Sequence, residues 1–267
     1  MLQFLKIFAV TLFFPILPII ICGFVAGLSE KLFMKMTKKC GRGLVMVTSI
    51  IGTPVHELGH AIMCLPFGHR IKKICLWNPK AKNGVLGYVN HTYNKKNIWH
   101  RLGCLFISAG PIILGLLVVM LIMRLCFPLA FEEYYLSVFS VSRSLDGFFE
   151  LILGSVNIFC SSISDNSSPI WVKILGGVLM ICVCMHINLS PADIKNSLVA
   201  LPIYALICLV LSVAVFFIGG DIAMGFVSAL TVWCFMGFAL YTVVFAGIIA
   251  VLLLGLLCFI LGRIFSK

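Results

Sequence analysis

IFAVTLFFPILPIIICGFVAGL, residues Ile7–Leu28, runs for 22 positions without a charged side chain. At a helical rise of about 1.5 Å per residue it is long enough to cross the roughly 30 Å hydrocarbon layer of a bilayer. It is longer than the apolar core of about 7–15 residues in a cleaved secretory signal and lacks a clean small-x-small site, so it reads as a retained first span. The composition around it agrees. Of 267 residues, 61% are apolar and 11% charged, against about 25% charged in an ordinary globular domain. A soluble enzyme is thereby excluded. The expectation is an all-α polytopic membrane protein forming one membrane-embedded domain over residues 1–267. The formal charge of +11 does not argue for nucleic acid, because the Lys and Arg residues cluster in two short loops beside apolar runs. There they orient the chain and face anionic headgroups, so the partner they imply is the lipid bilayer. Most cysteines, among them Cys104, Cys126, Cys182, Cys208, Cys234 and Cys258, lie in apolar runs as small hydrophobes. No C-x-x-C pair occurs, and the cysteines are assigned no metal or disulfide role.

Working outward, Glu30–Arg42 reads as a basic linker, with Lys31, Lys35, Lys38, Lys39 and Arg42. A second apolar segment, Gly43–Gly68, is interrupted by His56, Glu57 and His60. His69–Arg101 holds eight Lys or Arg and no acid. Its Ile71–Trp77, turn-rich Asn78–Gly84 and β-prone Val85–Tyr93 predict a β-hairpin between the second and third spans, on the cytoplasmic side. Leu102–Phe127 is a third span, interrupted by Ala109-Gly110-Pro111 and carrying Arg124 near its end, where it can snorkel. Pro128–Ser168 reads as an acidic extramembrane region, Pro169–Ile187 as a fourth span and Asn188–Asn196 as a loop. Leu201–Phe217 is a fifth span, stopping at Gly219-Gly220-Asp221. Ile222–Phe265 exceeds the roughly 20 residues of one crossing. Either a lipid-surface helix precedes the last span, which is the favoured reading, or two spans meet near Gly237. Five or six transmembrane helices result, with a catalytic core at about 43–198 and C-terminal helices over 199–267.

The chemistry lies in Thr53-Pro54-Val55-His56-Glu57-Leu58-Gly59-His60. Residues four apart on a helix are neighbours, so both imidazoles reach one ion, and Glu57 addresses a water there. The bland alternative is a polar stripe facing the bundle. Against it, a charge at mid-bilayer costs about 2.5–3.5 kcal/mol, so three ionisable groups on one turn call for a stabilising partner such as a divalent cation. Catalytic zinc takes three protein ligands. Cys64 continues the four-residue series, yet it sits about 12 Å along the axis from His56, too far for one straight helix. Asp193 and His186 remain, with Asp193 favoured because Asn188–Ala192 offers irregular backbone that can dip into the bundle; a helix N-cap is the bland role for Asp193. His69, His91 and His100 lie in polar loops and read as solvated. Gly110–Pro111 reads as a kink.

From His56 to about Asn196 the chain resembles the site-2-protease type of intramembrane metalloprotease, in a divergent bacterial branch. The resemblance rests on H-E-x-x-H in the second span, Gly110–Pro111 in the third, and Asn188-Leu189-Ser190-Pro191 with Asp193 after the fourth. It implies zinc held by His56, His60 and Asp193, water activation by Glu57, and membrane-anchored protein substrates in a bacterial plasma membrane. It also suggests that Asn188 touches the developing oxyanion, although capping the fourth span serves Asn188 equally. Two features depart from the family pattern: Asn196 stands near the usual Asp position, and no Asn follows Gly110–Pro111. Val85–Tyr93 offers a strand on which an unwound substrate can pair, or else forms an ordinary surface hairpin. The competing expectation is a non-catalytic membrane regulatory protein that keeps a structural metal, against which the presence of Glu57 argues.

Overall fold

Lys, Glu and Arg are good helix formers, and the basic segment Glu30–Arg42 accordingly continues a helix instead of linking two. In the computed structural model, which describes residues 1–80 and 85–265, helix α2 runs unbroken from Leu17 to Cys64. The interruption falls earlier, within the expected first span. Helix α1 (Leu2–Phe13) ends at a turn through Pro15, and α2 restarts with Pro18 in its first turn, where a missing N–H costs nothing. Strands β1 (Arg70–Cys75) and β2 (Tyr88–Thr92) follow as an antiparallel pair. Of the expected Asn78–Gly84 turn, residues 81–84 lie outside the described residues. Then come α3 (Ile98–Cys126), α4 (Pro128–Ser140), α5 (Leu145–Ser162), α6 (Ile170–Cys184), the short α7 (Pro191–Ser197), α8 (Leu201–Ile218) and α9 (Gly220–Phe265).

Pro128–Ser168, read as an acidic extramembrane region, folds as α4 and α5, which pack against α9. Tyr134 is fully buried there, its hydroxyl within reach of Ala239 O at 2.7 Å, Leu240 O at 2.9 Å and Thr242 Oγ1 at 3.2 Å. Two further readings of the sequence are corrected. Asn188–Asn196 contains a helical turn, α7, started by Ser190. The C-terminal apolar run forms one helix of 46 residues, about 70 Å at 1.5 Å per residue, so no surface helix precedes the last span. Gly219, at φ 67°, supplies the left-handed turn that separates α8 from α9. Arg124 lies at the surface and pairs with Glu132 at 3.3 Å.

Among the described residues, Leu17–Thr37, Ile98–Cys126, Leu201–Ile218 and Gly220–Leu257 are long and apolar enough to cross a membrane. This is compatible with a multi-pass membrane protein. Helix α2 packs along α3, α6 and α9. The largest core joins Cys22 and Ala26 of α2, Ile112 and Val119 of α3, Val183 of α6, and Val243 and Val244 of α9. The crossing of α2 and α3 is tight where both helices lack a side chain. A Cβ on Gly59 of α2 would lie 2.6 Å from the Gly110 carbonyl of α3, and one on Gly110 would lie 2.3 Å from Gly59 O. That contact brings the H-E-x-x-H turn directly against α3.

Candidate metal centre

Helix α2 presents His56 and His60 one turn apart on a buried face. Each ring is fixed by a main-chain carbonyl. His56 Nδ1 lies 2.8 Å from His186 O, and His60 Nδ1 lies 2.8 Å from Ile107 O. A carbonyl can only accept, so each Nδ1 donates and each Nε2 of a neutral ring keeps its lone pair. The two Nε2 atoms then face one another at 3.2 Å. Asp193 completes the group, with Oδ1 3.2 Å from His60 Nε2 and Oδ2 4.0 Å from His56 Nε2. Two lone pairs and a carboxylate converge in a buried space, a donor set that could hold a cation. Zinc–nitrogen bonds of about 2.0–2.1 Å place tetrahedral ligands roughly 3.3 Å apart, so the donor set fits that ion in type and spacing.

The carbonyls are available for reasons visible in the chain. In an uninterrupted helix, Ile107 O would accept from the N–H of residue 111. That residue is Pro111, which has no N–H. Helix α3 continues through it, and the freed carbonyl turns its lone pair to His60. Pro111 therefore helps position the His60 ring, a role the sequence reading, which gave it only a kink, missed. His186 follows the end of α6 at Cys184, where no further helical turn supplies an N–H for its carbonyl. His186 thus serves the site through its backbone. Its imidazole Nδ1 donates to Cys182 O at 3.0 Å, and its Nε2 is buried without a hydrogen-bond partner among the described residues.

Asp193 is the third helical residue of α7 and closes a capping box. Its N–H donates to Ser190 Oγ at 3.1 Å, and its Oδ2 accepts from Ser190 N at 2.9 Å. The cap role and the place beside the imidazoles are therefore held by the same carboxylate. Asn196 holds α7 on α3, donating from Nδ2 to Ser108 Oγ at 3.3 Å and Cys104 O at 3.4 Å. Asn188 donates to the Glu30 carboxylate, which ties the segment after α6 to the first half of α2.

Glu57 is buried beside His56, and the backbone ahead of β2 lies over it: a Cβ on Gly87 would come within 2.7 Å of Glu57 Cγ and of Thr53 Cγ2. Asn188 also lines a cavity of about 1070 Å³, walled largely by apolar residues of α2, α3, α7, α8 and α9 and reaching Ser190 and Pro191.

A second group of donors was not read from the sequence. His69, His91 and His100 are not solvated loop residues: His69 is buried, and its rings meet His91, Tyr93 and His100. Strand pairing explains the gathering. Arg70 pairs with Thr92, which sets Tyr93 opposite His69 and His91 diagonal to it on the same face. Burial, followed by the neighbouring His69 and His60, pushes the His91 pKa down to about 4; burial also lowers that of His69. The fully buried Cys64, at the end of α2, joins them.

Comparison with protein-family models, with curated proteins and with solved structures finds no match for the chain.

Proposed function

We propose that the protein is an intramembrane zinc metalloendopeptidase of the site-2-protease type, acting on membrane-anchored protein substrates within a bacterial plasma membrane. One observation carries the reading: two imidazoles, each committed through Nδ1 to a main-chain carbonyl, turn bare Nε2 atoms toward each other at 3.2 Å with a carboxylate oxygen at 3.2 Å. His56, His60 and Asp193 would hold the metal. When bound, zinc supplies a Lewis acid that makes water nucleophilic near neutral pH. Glu57, adjacent to His56, takes the proton from the attacking water and returns it to the leaving amine. The apolar cavity beside Asn188 and Ser190 would receive an extended substrate segment, and Asn188, on its wall, would meet the substrate carbonyl. With α6 added to the four long apolar helices, and α2 counted once because it is one unbroken helix, the chain crosses the bilayer five times.

The test measures zinc content and cleavage of a model transmembrane substrate. Glu57→Gln is expected to keep its zinc while cleavage falls about 10²–10⁴-fold, the usual worth of a general base. Asp193→Ala is expected to lose zinc affinity. Cleavage that survives Glu57→Gln would refute the catalytic assignment. Stoichiometric zinc with no cleavage by the wild type would favour the regulatory reading, to which the Gly87 backbone over Glu57 lends its support.

A further inference from the structure

We infer that Cys64, His69 and His91 form a second binding site for a divalent cation of zinc type, which clamps the β-hairpin to the end of α2. The inference is independent of the protease reading. One ligand atom from each residue lies within 4.8 Å of the other two. His69 Nε2 lies 2.7 Å from His100 O, so that nitrogen donates and Nδ1 is left with its lone pair. The His69 and His91 Nδ1 atoms approach to 2.9 Å. This repeats the logic of the first site, in which a backbone carbonyl fixes the tautomer of a ligating imidazole. Tyr93 stacks on His69 with ring centroids 4.6 Å apart and planes 16° apart, holding the ring in place.

The donor types select the ion. Two imidazoles and a thiolate suit zinc and its borderline-soft relatives, and they do not suit calcium or magnesium. Binding releases the Cys64 thiol proton to solvent and forms one metal–sulfur bond and two metal–nitrogen bonds. The mechanical consequence follows from the connectivity. His91 sits on β2, and the backbone of Gly87, immediately before that strand, lies on Glu57. A cation joining β2 to α2 therefore holds the hairpin over the turn that carries Glu57.

Cobalt substitution tests the site in the full-length, detergent-solubilised protein, because this donor group contains sulfur and the one at His56, His60 and Asp193 does not. Metal-stripped wild type titrated with Co²⁺ is expected to develop a near-ultraviolet thiolate-to-cobalt charge-transfer band that saturates by two equivalents, and at one equivalent once the His56–His60 site is removed. The band should vanish in Cys64→Ser, weaken at least tenfold in apparent affinity in His91→Gln, and survive in a His56→Ala, His60→Ala double variant. Wild type that binds cobalt without such a band would overturn the proposal, whatever the variants do. A band lost together with His56 and His60 would overturn it as well. A band at one equivalent that persists without them would uphold it even if the first site held nothing.

Discussion

A single methyl group at Gly59 should uncouple His60 from the carbonyl that orients it. The ideal Cβ there would stand 2.6 Å from the Gly110 carbonyl carbon and oxygen and from Pro111 N, all backbone atoms that cannot rotate away. Ordinary contact begins at 3.4 Å, so α2 and α3 must separate locally by about 0.8 Å in Gly59→Ala. The His60 Nδ1 to Ile107 O hydrogen bond spans this same crossing at 2.8 Å, and it would lengthen to about 3.6 Å, beyond hydrogen-bonding range. Overpacking of this kind costs about 1–3 kcal/mol of stability. Loss of the partner that orients a ligating histidine costs about 10–100-fold in metal affinity. Zinc competition against a chromophoric chelator, beside circular dichroism of the same sample, measures both. A helical, folded Gly59→Ala protein that binds zinc as tightly as wild type would show that the close approach of the two helices does not serve the site.

Three further perturbations separate positioning from packing. Pro111→Ala returns the N–H that competes for Ile107 O, so zinc affinity should fall about 10-fold while helix stability holds or rises; a matching loss of both would mean Pro111 acts only on the fold. Tyr134→Phe strips the hydroxyl that meets Ala239 O, Leu240 O and Thr242 Oγ1, and should cost about 1–3 kcal/mol in thermal unfolding with zinc content unchanged. Hydrogen bonds from Lys173 and Ser167 hold the Asp165 carboxyl down to about 2 from its ordinary 3.8. A depressed carboxyl stabilises the fold above its unfolded value and loses that contribution as the pH falls toward the folded one. Unfolding midpoints on either side of this window should therefore drop for wild type and drop less for Asp165→Asn; equal slopes would remove the linkage.

The membrane class and the pairing of His56 with His60 are written in the chain at short range, as an apolar run and a four-residue interval. Asp193 was accessible through the irregular segment after α6. The errors arise where local chemistry was given more authority than it has. Five lysines and arginines in Glu30–Arg42 suggested a linker, yet they favour helix, and no proline interrupts the stretch. The polar character of Pro128–Ser168 hid Tyr134, whose partners lie about a hundred residues away on α9. His69, His91 and His100 read as solvated because nothing in a loop sequence announces a cross-strand diagonal; it depends on the register that pairs Arg70 with Thr92.

What most separates the site from its motif is the origin of its hydrogen-bond acceptors. H-E-x-x-H specifies two imidazoles on one face but leaves their tautomers free, and rings with the opposite tautomers would turn N–H groups inward and repel a cation. The choice is made by Ile107 O, left unbonded by Pro111, and by His186 O, beyond the last turn of α6. Neither acceptor is a side chain, so no residue type at position 107 or 186 records it. Only the proline leaves a trace in the sequence, four residues after the carbonyl it frees and 51 residues after the histidine that uses it. The same device recurs at His69 with the carbonyl of His100. Backbone supply of acceptors to buried histidines thus joins the two donor groups found among the described residues, and a substitution that restores or removes a main-chain N–H reaches them without altering any donor side chain.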